Sequence, residues 1–103
     1  NVSRWRRTID DRAARGDRLA LWGAGSKGVT FLNAVDEAAR LSVVDLNPNK
    51  WGRYLPGTGH LIEEPRSLVE RPVATVLITN PVYRDEIAAE LRDMGVQADV
   101  VSV

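Results

Sequence analysis

The chain has the length and composition of one folded domain: it has 103 residues, of which 44% are hydrophobic and 27% are charged, and it leaves no room for a second independent core. Fourteen basic and fourteen acidic residues cancel, so we expect no attraction to nucleic acid or to an acidic membrane surface. The sequence has no cysteine and one histidine, which excludes disulfides and predicts that there is no metal centre. It has no apolar stretch of transmembrane length and no secretory pattern, which predicts a cytoplasmic protein.

The N-terminal segment is predicted to form a helix from Ser3 to Arg15. Ser3 can cap this helix and Gly16 can end it in a left-handed turn. Apolar residues at four-residue spacing mark one face, namely Trp5, Ile9 and Ala13. The other face carries Arg4, Arg6, Arg7 and Arg15, which indicates either a solvated surface or a contact with a neighbouring domain. We expect residues 1–16 to connect an upstream domain to a domain formed by residues 17–103.

A strand, a glycine-rich loop, a helix and a second strand follow. The apolar run Arg18–Trp22 leads into Gly23-Ala24-Gly25-Ser26-Lys27-Gly28. Lys27–Val35 has helical spacing through Val29, Leu32 and Val35, and Leu41–Asp45 is rich in valine. This order is typical of a βαβ unit.

Each glycine of the loop has a separate physical reason. Gly23 permits a sharp turn, Gly25 lets a ligand approach the backbone, and Gly28 lets the helix pack closely on the strand. The amides and the dipole at the start of the helix favour an anion such as phosphate. Lys27 either adds a positive charge to this site or points into solvent.

Asp45 ends the second strand, 20 positions after Gly25. An acidic residue at this place binds the ribose diol in dinucleotide-binding domains. It can equally cap the turn at Asn47-Pro48. The pattern leaves both roles open, and it does not separate NAD, S-adenosylmethionine and a nucleotide sugar as ligands.

The second half of the chain is predicted to hold a long loop and two further βα units. Leu46–Gly59 is rich in proline and glycine, and we expect it to be ordered because Trp51, Tyr54 and Leu55 can anchor it. The remaining predicted elements are a brief strand at 60–62, a short helix at 65–70, a strand at 74–79, a helix after Asn80 and a strand at 99–103. Asn80-Pro81 caps that helix, and Gly95 ends it. One face of the helix carries Tyr83, Ile87, Leu91 and Met94. The alternation predicts an α/β, Rossmann-like three-layer domain with a mostly parallel sheet of about five strands.

Two sequence stretches resemble a known family. They are residues 21–30, around the glycine loop, and residues 45–59, which read Asp-Leu-Asn-Pro-Asn-Lys-Trp-Gly-Arg-Tyr-Leu-Pro-Gly-Thr-Gly. Together they resemble the C-terminal domain of sugar C-methyltransferases, which use S-adenosylmethionine to methylate a carbon of a deoxysugar carried on dTDP. The same layout is similar to nucleotide-sugar-binding domains of some acyltransferases.

The resemblance implies a substrate-binding role without catalysis by this chain alone. In that family the methyl donor and the catalytic residues belong to an upstream domain, and the C-terminal domain helps to hold the nucleotide sugar. Arg53 can pair with a phosphate, Tyr54 or Trp51 can stack on a base, and Asn80 can serve as a helix cap instead of a ligand group. The expected ligand-facing residues are Gly23, Ala24, Gly25, Ser26, Lys27, Gly28, Asp45, Asn47, Lys50, Arg53, Tyr54, Asn80 and Tyr83.

Three functions therefore remain in view. The first is the nucleotide-sugar-binding domain of a methyltransferase, with the upstream domain as partner and a homodimer as one arrangement. The second is an NAD(P)-binding fragment of an oxidoreductase. The third is a non-catalytic module for nucleotide sensing or protein interaction, in which the arginine-rich helix docks a partner.

Overall fold

The protein is a five-stranded parallel sheet with helices on both faces. A computed structural model describes residues 2–34 and 41–103, and within them the side chains of all but residues 2–6 and 13. The elements in chain order are α1 (Val2–Ala14), β1 (Leu19–Trp22), α2 (Ser26–Ala34), β2 (Leu41–Val44), β3 (Ile62–Glu63), α3 (Ser67–Glu70), β4 (Thr75–Ile78), α4 (Arg84–Asp93) and β5 (Asp99–Ser102). The strand order is β3-β2-β1-β4-β5, which confirms the predicted Rossmann-like α/β class.

The two faces of the sheet bury separate apolar clusters, because every residue of β1 and β4 is buried and alternate residues point to opposite faces. One cluster joins Leu21 and Val43 to Leu32 of α2. The other joins Trp22 and Val44 to α3 and α4. Three layers follow directly from this arrangement.

The first helix completes one of these layers. The chain moves outward from β1 through β2 to β3, then returns to build β4 and β5 on the other side, so right-handed connections place α2 on one face and α3 and α4 on the other. This leaves the α2 face of β4 and β5 without a covering connection. Helix α1 lies on that face: Ile9 is fully buried in the cluster that contains Leu77, and Arg12 Nη1 donates to Thr75 Oγ1 at 2.6 Å.

Glycines end α1 and α4 where the sequence predicts, whereas Ser3, predicted to cap the first helix, lies inside α1 (Val2–Ala14). Gly16 and Gly95 follow α1 and α4 with φ of 82° and 77°, in the left-handed region that favours glycine. Asn80 caps a 3₁₀ turn, Pro81–Tyr83, that leads into α4. Arg7 and Arg15 are exposed. Val35 and the side chains of Trp5, Ala13, Arg4 and Arg6 lie outside the described residues.

The long loop after β2 is ordered, as predicted, although only one of its three proposed anchors is buried. Leu55 is 4% exposed in the cluster on the α2 face. Tyr54 is 69% exposed, so its role as an anchor was wrong. Trp51 is exposed too and is held instead by a 2.6 Å hydrogen bond from its indole Nε1 to the Asp45 carbonyl. The loop folds back on itself through Leu55 N to His60 O, at 2.8 Å.

Two predicted placements need correction. The third strand comprises Ile62–Glu63 and not residues 60–62, because Val43 and Val44 pair with Ile62 and Glu63. Tyr83 lies in the 3₁₀ turn ahead of α4 and is 51% exposed. The tighter turn removes it from the phase of the buried α4 residues, so it does not share their inner face.

The structure contains no helix suited to a bilayer: within residues 2–34 and 41–103, none combines the length and the apolar character needed to cross it.

Candidate ligand site at the carboxyl edge of the sheet

The glycine loop between β1 and α2 has the geometry predicted for each glycine. Gly23 has φ of +121° and turns the chain out of β1. A Cβ on Gly28 would overlap the Gly23 carbonyl oxygen, whereas a Cβ on Gly25 would meet nothing within 4 Å. Gly28 therefore allows the close packing of helix on strand, and Gly25 leaves the backbone open to an approaching molecule.

Asp45 joins the glycine loop to the loop that follows β2. Its Oδ2 accepts a hydrogen bond from Ala24 N at 2.7 Å, and its Oδ1 accepts one from Asn47 N at 2.8 Å. The second bond is the turn-capping interaction that the sequence left open. The first bond, across 21 residues of chain, has no counterpart in the sequence-based interpretation. The carboxylate is thus already held by two backbone amides.

Lys50 brings a positive charge to the same place. Its Nζ lies 3.4 Å from the Ala24 carbonyl oxygen and 4.0 Å from Asp45 Oδ2, and its side chain is 36% exposed. Lys50 is positioned by a short 3₁₀ turn, Pro48–Lys50, that Asn47 caps by accepting from Asn49 N at 3.0 Å. The lysine therefore stands beside the glycine loop instead of extending freely into solvent.

A cavity of about 280 Å³ opens at the carboxyl ends of β1, β2 and β4. This is the point at which the strand order reverses direction, where open α/β sheets bind their ligands. The cavity is lined by Trp22, Gly23, Asp45, Leu46, Ile78, Thr79, Asn80, Tyr83, Glu86 and Ile87.

The walls of the cavity are mostly apolar, and their charged groups are acidic. Asp45 and Glu86 are its carboxylates, and none of the described residues that line it is basic. Asn80 uses its Oδ1 to accept from Val82 N at 3.1 Å, which leaves its Nδ2 as the donor group of the side chain. The cavity thus suits an uncharged group that both donates and accepts hydrogen bonds, and the cations stand outside it.

Comparison with protein families identifies the chain. The model of the C-methyltransferase C-terminal domain matches residues 3–100. The chain belongs to this family. The predicted resemblance is thereby confirmed at the level of the family, and a comparison with curated proteins gives no significant match.

Solved structures similar to this C-methyltransferase C-terminal domain share its fold. RSP, a Rex-family repressor, superposes with a TM-score of 0.59 at 14% identity, over 82% of this chain and 51% of that one. A complex of RSP with β-NADH gives a TM-score of 0.56 at 14% identity, over 82% and 52%. The chain thus spans about half the length of these proteins, and the likeness establishes the Rossmann-like fold alone.

The C-methyltransferase C-terminal domain brings together some of the predicted ligand residues and separates others. Gly23, Asp45, Asn80 and Tyr83 line the cavity. Ala24, Gly25, Ser26, Lys27 and Gly28 form the adjacent loop and first turn of α2, where Gly25, Ser26 and Lys27 are exposed and Ala24 and Gly28 are buried.

Four other predicted residues lie in the loop after β2, and none of them lines the cavity. Lys50 stands beside the glycine loop, as described above. Asn47 is engaged in its cap. Arg53 donates from Nε to the Asn49 carbonyl at 3.0 Å. Tyr54 forms an antiparallel bridge with Leu61 and is exposed.

Sequence reasoning missed six of the ten cavity residues, namely Trp22, Leu46, Ile78, Thr79, Glu86 and Ile87. Leu46 and Thr79 come just after the last residues of β2 and β4, so their place at the carboxyl edge was a usable signal. Glu86 lies in the first turn of α4, three residues after Tyr83. Its approach to the cavity depends on how α4 packs, for which the local sequence contains no signal.

Proposed function

We propose that this C-methyltransferase C-terminal domain is the nucleotide-sugar-binding domain of an S-adenosylmethionine-dependent sugar C-methyltransferase. The observation that supports it most is the cavity at the switch point of the sheet, directly beside a glycine loop that opens a helix. A ligand lying across both features has an anionic part and an uncharged part, as a nucleotide sugar has.

The anionic part of the ligand belongs at the glycine loop. The first N–H groups of α2 have no partner within the helix, and the helix dipole adds to their attraction for a phosphate. Gly25 presents no Cβ, and the space around it is open. Lys27 lies in the first turn of α2, and Lys50 Nζ lies 3.4 Å from the Ala24 carbonyl oxygen.

The uncharged part of the ligand belongs in the cavity. Trp22, Ile78 and Ile87 supply apolar wall, while Thr79 and the Asn80 amide supply polar groups. A volume of about 280 Å³ is just below the range of about 300 to 1,000 Å³ that encloses whole small ligands. The cavity therefore takes one ring system of the ligand, and we assign the cover of the remainder to the upstream domain.

Catalysis belongs to that upstream domain in this proposal. The methyl donor S-adenosylmethionine binds there, and the C-terminal domain contributes by holding the acceptor in position, which is a major source of rate enhancement. A cytoplasmic location and the possibility of a homodimer stay predictions.

Isothermal titration of the chain with dTDP, a dTDP-linked sugar, S-adenosylmethionine and NADH tests the proposal. We expect dTDP and a dTDP-linked sugar to bind, and S-adenosylmethionine not to bind. If the methyl donor alone bound, the proposal would be wrong.

Gly25→Val is the matched test of the site. A Cβ at this position meets nothing within 4 Å, so we expect the fold to tolerate the substitution, whereas the side chain occupies the place where the ligand approaches the backbone. We expect it to abolish dTDP binding, while Ala74→Val, at an exposed position before the amino end of β4, leaves binding unchanged. Unimpaired binding by Gly25→Val would remove the glycine loop from the site.

A second candidate function is the binding of NAD(H). It is favoured by the similar structure of a Rex-family repressor that was solved with β-NADH. NADH is therefore the fourth ligand of the titration, followed by its fluorescence on mixing. Binding of NADH in preference to dTDP would make this candidate the better one.

A further inference from the structure

We propose that Glu86 is a specificity-determining residue of the cavity, and that the cavity in consequence prefers a sugar ring carrying an amine to the same ring carrying a hydroxyl. The inference rests on the proposed function, because it concerns the sugar part of the nucleotide sugar. It commits the cavity to that part of the ligand and names the substituent that the cavity recognises.

The packing of α4 fixes the place of Glu86 beside the cavity. Glu86 lies in the first turn of α4, and the next residue, Ile87, lines the same cavity and is 5% exposed. Leu91, one turn further along the helix, is 2% exposed in the same apolar cluster. These two buried side chains hold α4 against the sheet, so the backbone of Glu86 keeps its position at the cavity wall.

The carboxylate of Glu86 is available to a ligand. It is exposed, and in the part of the chain that the structure describes no hydrogen bond or ion pair is made to it. The other carboxylate of the cavity, Asp45, accepts from Ala24 N and Asn47 N at 2.7 and 2.8 Å, and Lys50 Nζ lies 4.0 Å from its Oδ2. Asp45 keeps some capacity to accept, but its charge is partly balanced. Glu86 is therefore the main source of negative charge at the cavity.

The helix dipole accounts for an acidic residue near the start of α4, but not for its position at the cavity. Asp85 and Glu86 both lie in the first turn, where a negative charge is favourable at either position. Of the two, Glu86 alone lines the cavity. Asp85 thus provides a matched control, because its replacement has the same effect on the helix and none on the cavity wall.

An amine fits this wall better than a hydroxyl does. A hydroxyl donates one hydrogen bond, whereas a neutral amine donates two and its protonated form donates three. The protonated form also attracts the carboxylates, and the apolar walls formed by Trp22 and Ile78 exclude part of the water that would screen this attraction. None of the described residues that line the cavity is basic, so no cation opposes the amine. Because Glu86 is exposed, we expect a gain in affinity of about fivefold, the value of a favourable exposed ion pair.

Titration of the chain with matched sugars tests the preference. The ligands are dTDP-glucose and its counterparts in which an amine replaces one ring hydroxyl at a time. At least one amine should bind about fivefold more tightly than dTDP-glucose, and Glu86→Gln should reduce that advantage to within about twofold, because the amide is neutral. Asp85→Asn should keep the full advantage. The inference is overturned if no amine is preferred, if the preference survives in Glu86→Gln, or if Asp85→Asn removes it equally.

The same sugars without their nucleotide separate this inference from the proposed function. If no dTDP-linked sugar binds, the proposed function fails, and amide chemical shifts of the ¹⁵N-labelled chain then decide the role of Glu86. A free amino sugar should shift the amides of Thr79, Asn80 and Ile87 at the cavity at concentrations at which glucose does not, and Glu86→Gln should remove these shifts. Equal shifts by the amino sugar and by glucose, or no shifts by either, would refute the preference.

Discussion

Replacing Gly28 with alanine sets two physical effects against each other. Gly28 lies in the first turn of α2, and alanine favours a helix over glycine by about 1 kcal/mol. The added Cβ, however, would overlap the Gly23 carbonyl oxygen and lie 3.3 Å from a Leu21 methyl carbon. Backbone cannot move aside as a flexible side chain can, so we place the packing cost near the upper end of the usual range, about 3 kcal/mol.

The net expectation is a destabilisation of about 2 kcal/mol, which lowers Tm by about 8 to 16 °C for a domain of this size. Urea unfolding followed by circular dichroism gives the free energy difference. Gly25→Ala is the control, because its Cβ meets open space, and we expect a change below about 1 kcal/mol. If Gly28→Ala left the protein unchanged or more stable, helix propensity would outweigh the contact, and the close packing of α2 on β1 would be refuted.

Three further substitutions test the surroundings of the site. In urea unfolding, Leu55→Ala should lower the free energy of unfolding by about 2 to 3 kcal/mol, because Leu55 anchors the loop after β2 in the core. The amides of Gly59 and Ile62 should also exchange faster. A change confined to the loop, with no loss of global stability, would contradict the place of Leu55 in the core. Gly57→Ala should lower the free energy of unfolding by about 1 to 2 kcal/mol, because Gly57 has φ of +88° and faces the Asn33 side chain. A variant as stable as the parent protein would contradict the left-handed conformation of Gly57. Asn80→Ala should cost about 1 kcal/mol through loss of its cap, whereas Asn80→Asp should keep the cap and weaken dTDP binding in titration; unchanged binding by Asn80→Asp would exclude the Nδ2 group as a ligand contact.

The succession of strands and helices was predictable because its signals are local. Gly16 and Gly95 end helices in conformations that other residues disfavour. Asn80-Pro81 begins a turn of helix by satisfying a backbone amide and fixing a dihedral angle. The buried strands read as continuous apolar runs because both faces are covered. None of these signals depends on a partner distant in the chain.

The cavity was harder to predict because it is built from ends that meet only in the folded protein. Leu46 and Thr79 follow different strands, and Glu86 comes from a helix. Likewise, the bond from Ala24 to Asp45 requires the register of β1 against β2, in which Trp22 lies opposite Val44. Tyr83 was placed wrongly because a single 3₁₀ turn changes the helical phase. The positions of Leu46 and Thr79 after their strands were a usable signal, but the bond from Ala24 to Asp45 and the approach of Glu86 depend on packing that a local pattern does not contain.

Mapping dTDP on the ¹⁵N-labelled chain by amide chemical shifts tests the central claim, that the glycine loop and the switch-point cavity form one ligand site. The account predicts shifts at Gly25, Ser26 and Lys27 together with Leu46, Thr79 and Asn80, and no shifts at Gln97 and Asp99 on the opposite edge. Shifts confined to that opposite edge, or saturation without any change at Gly25 and Asn80, would contradict it.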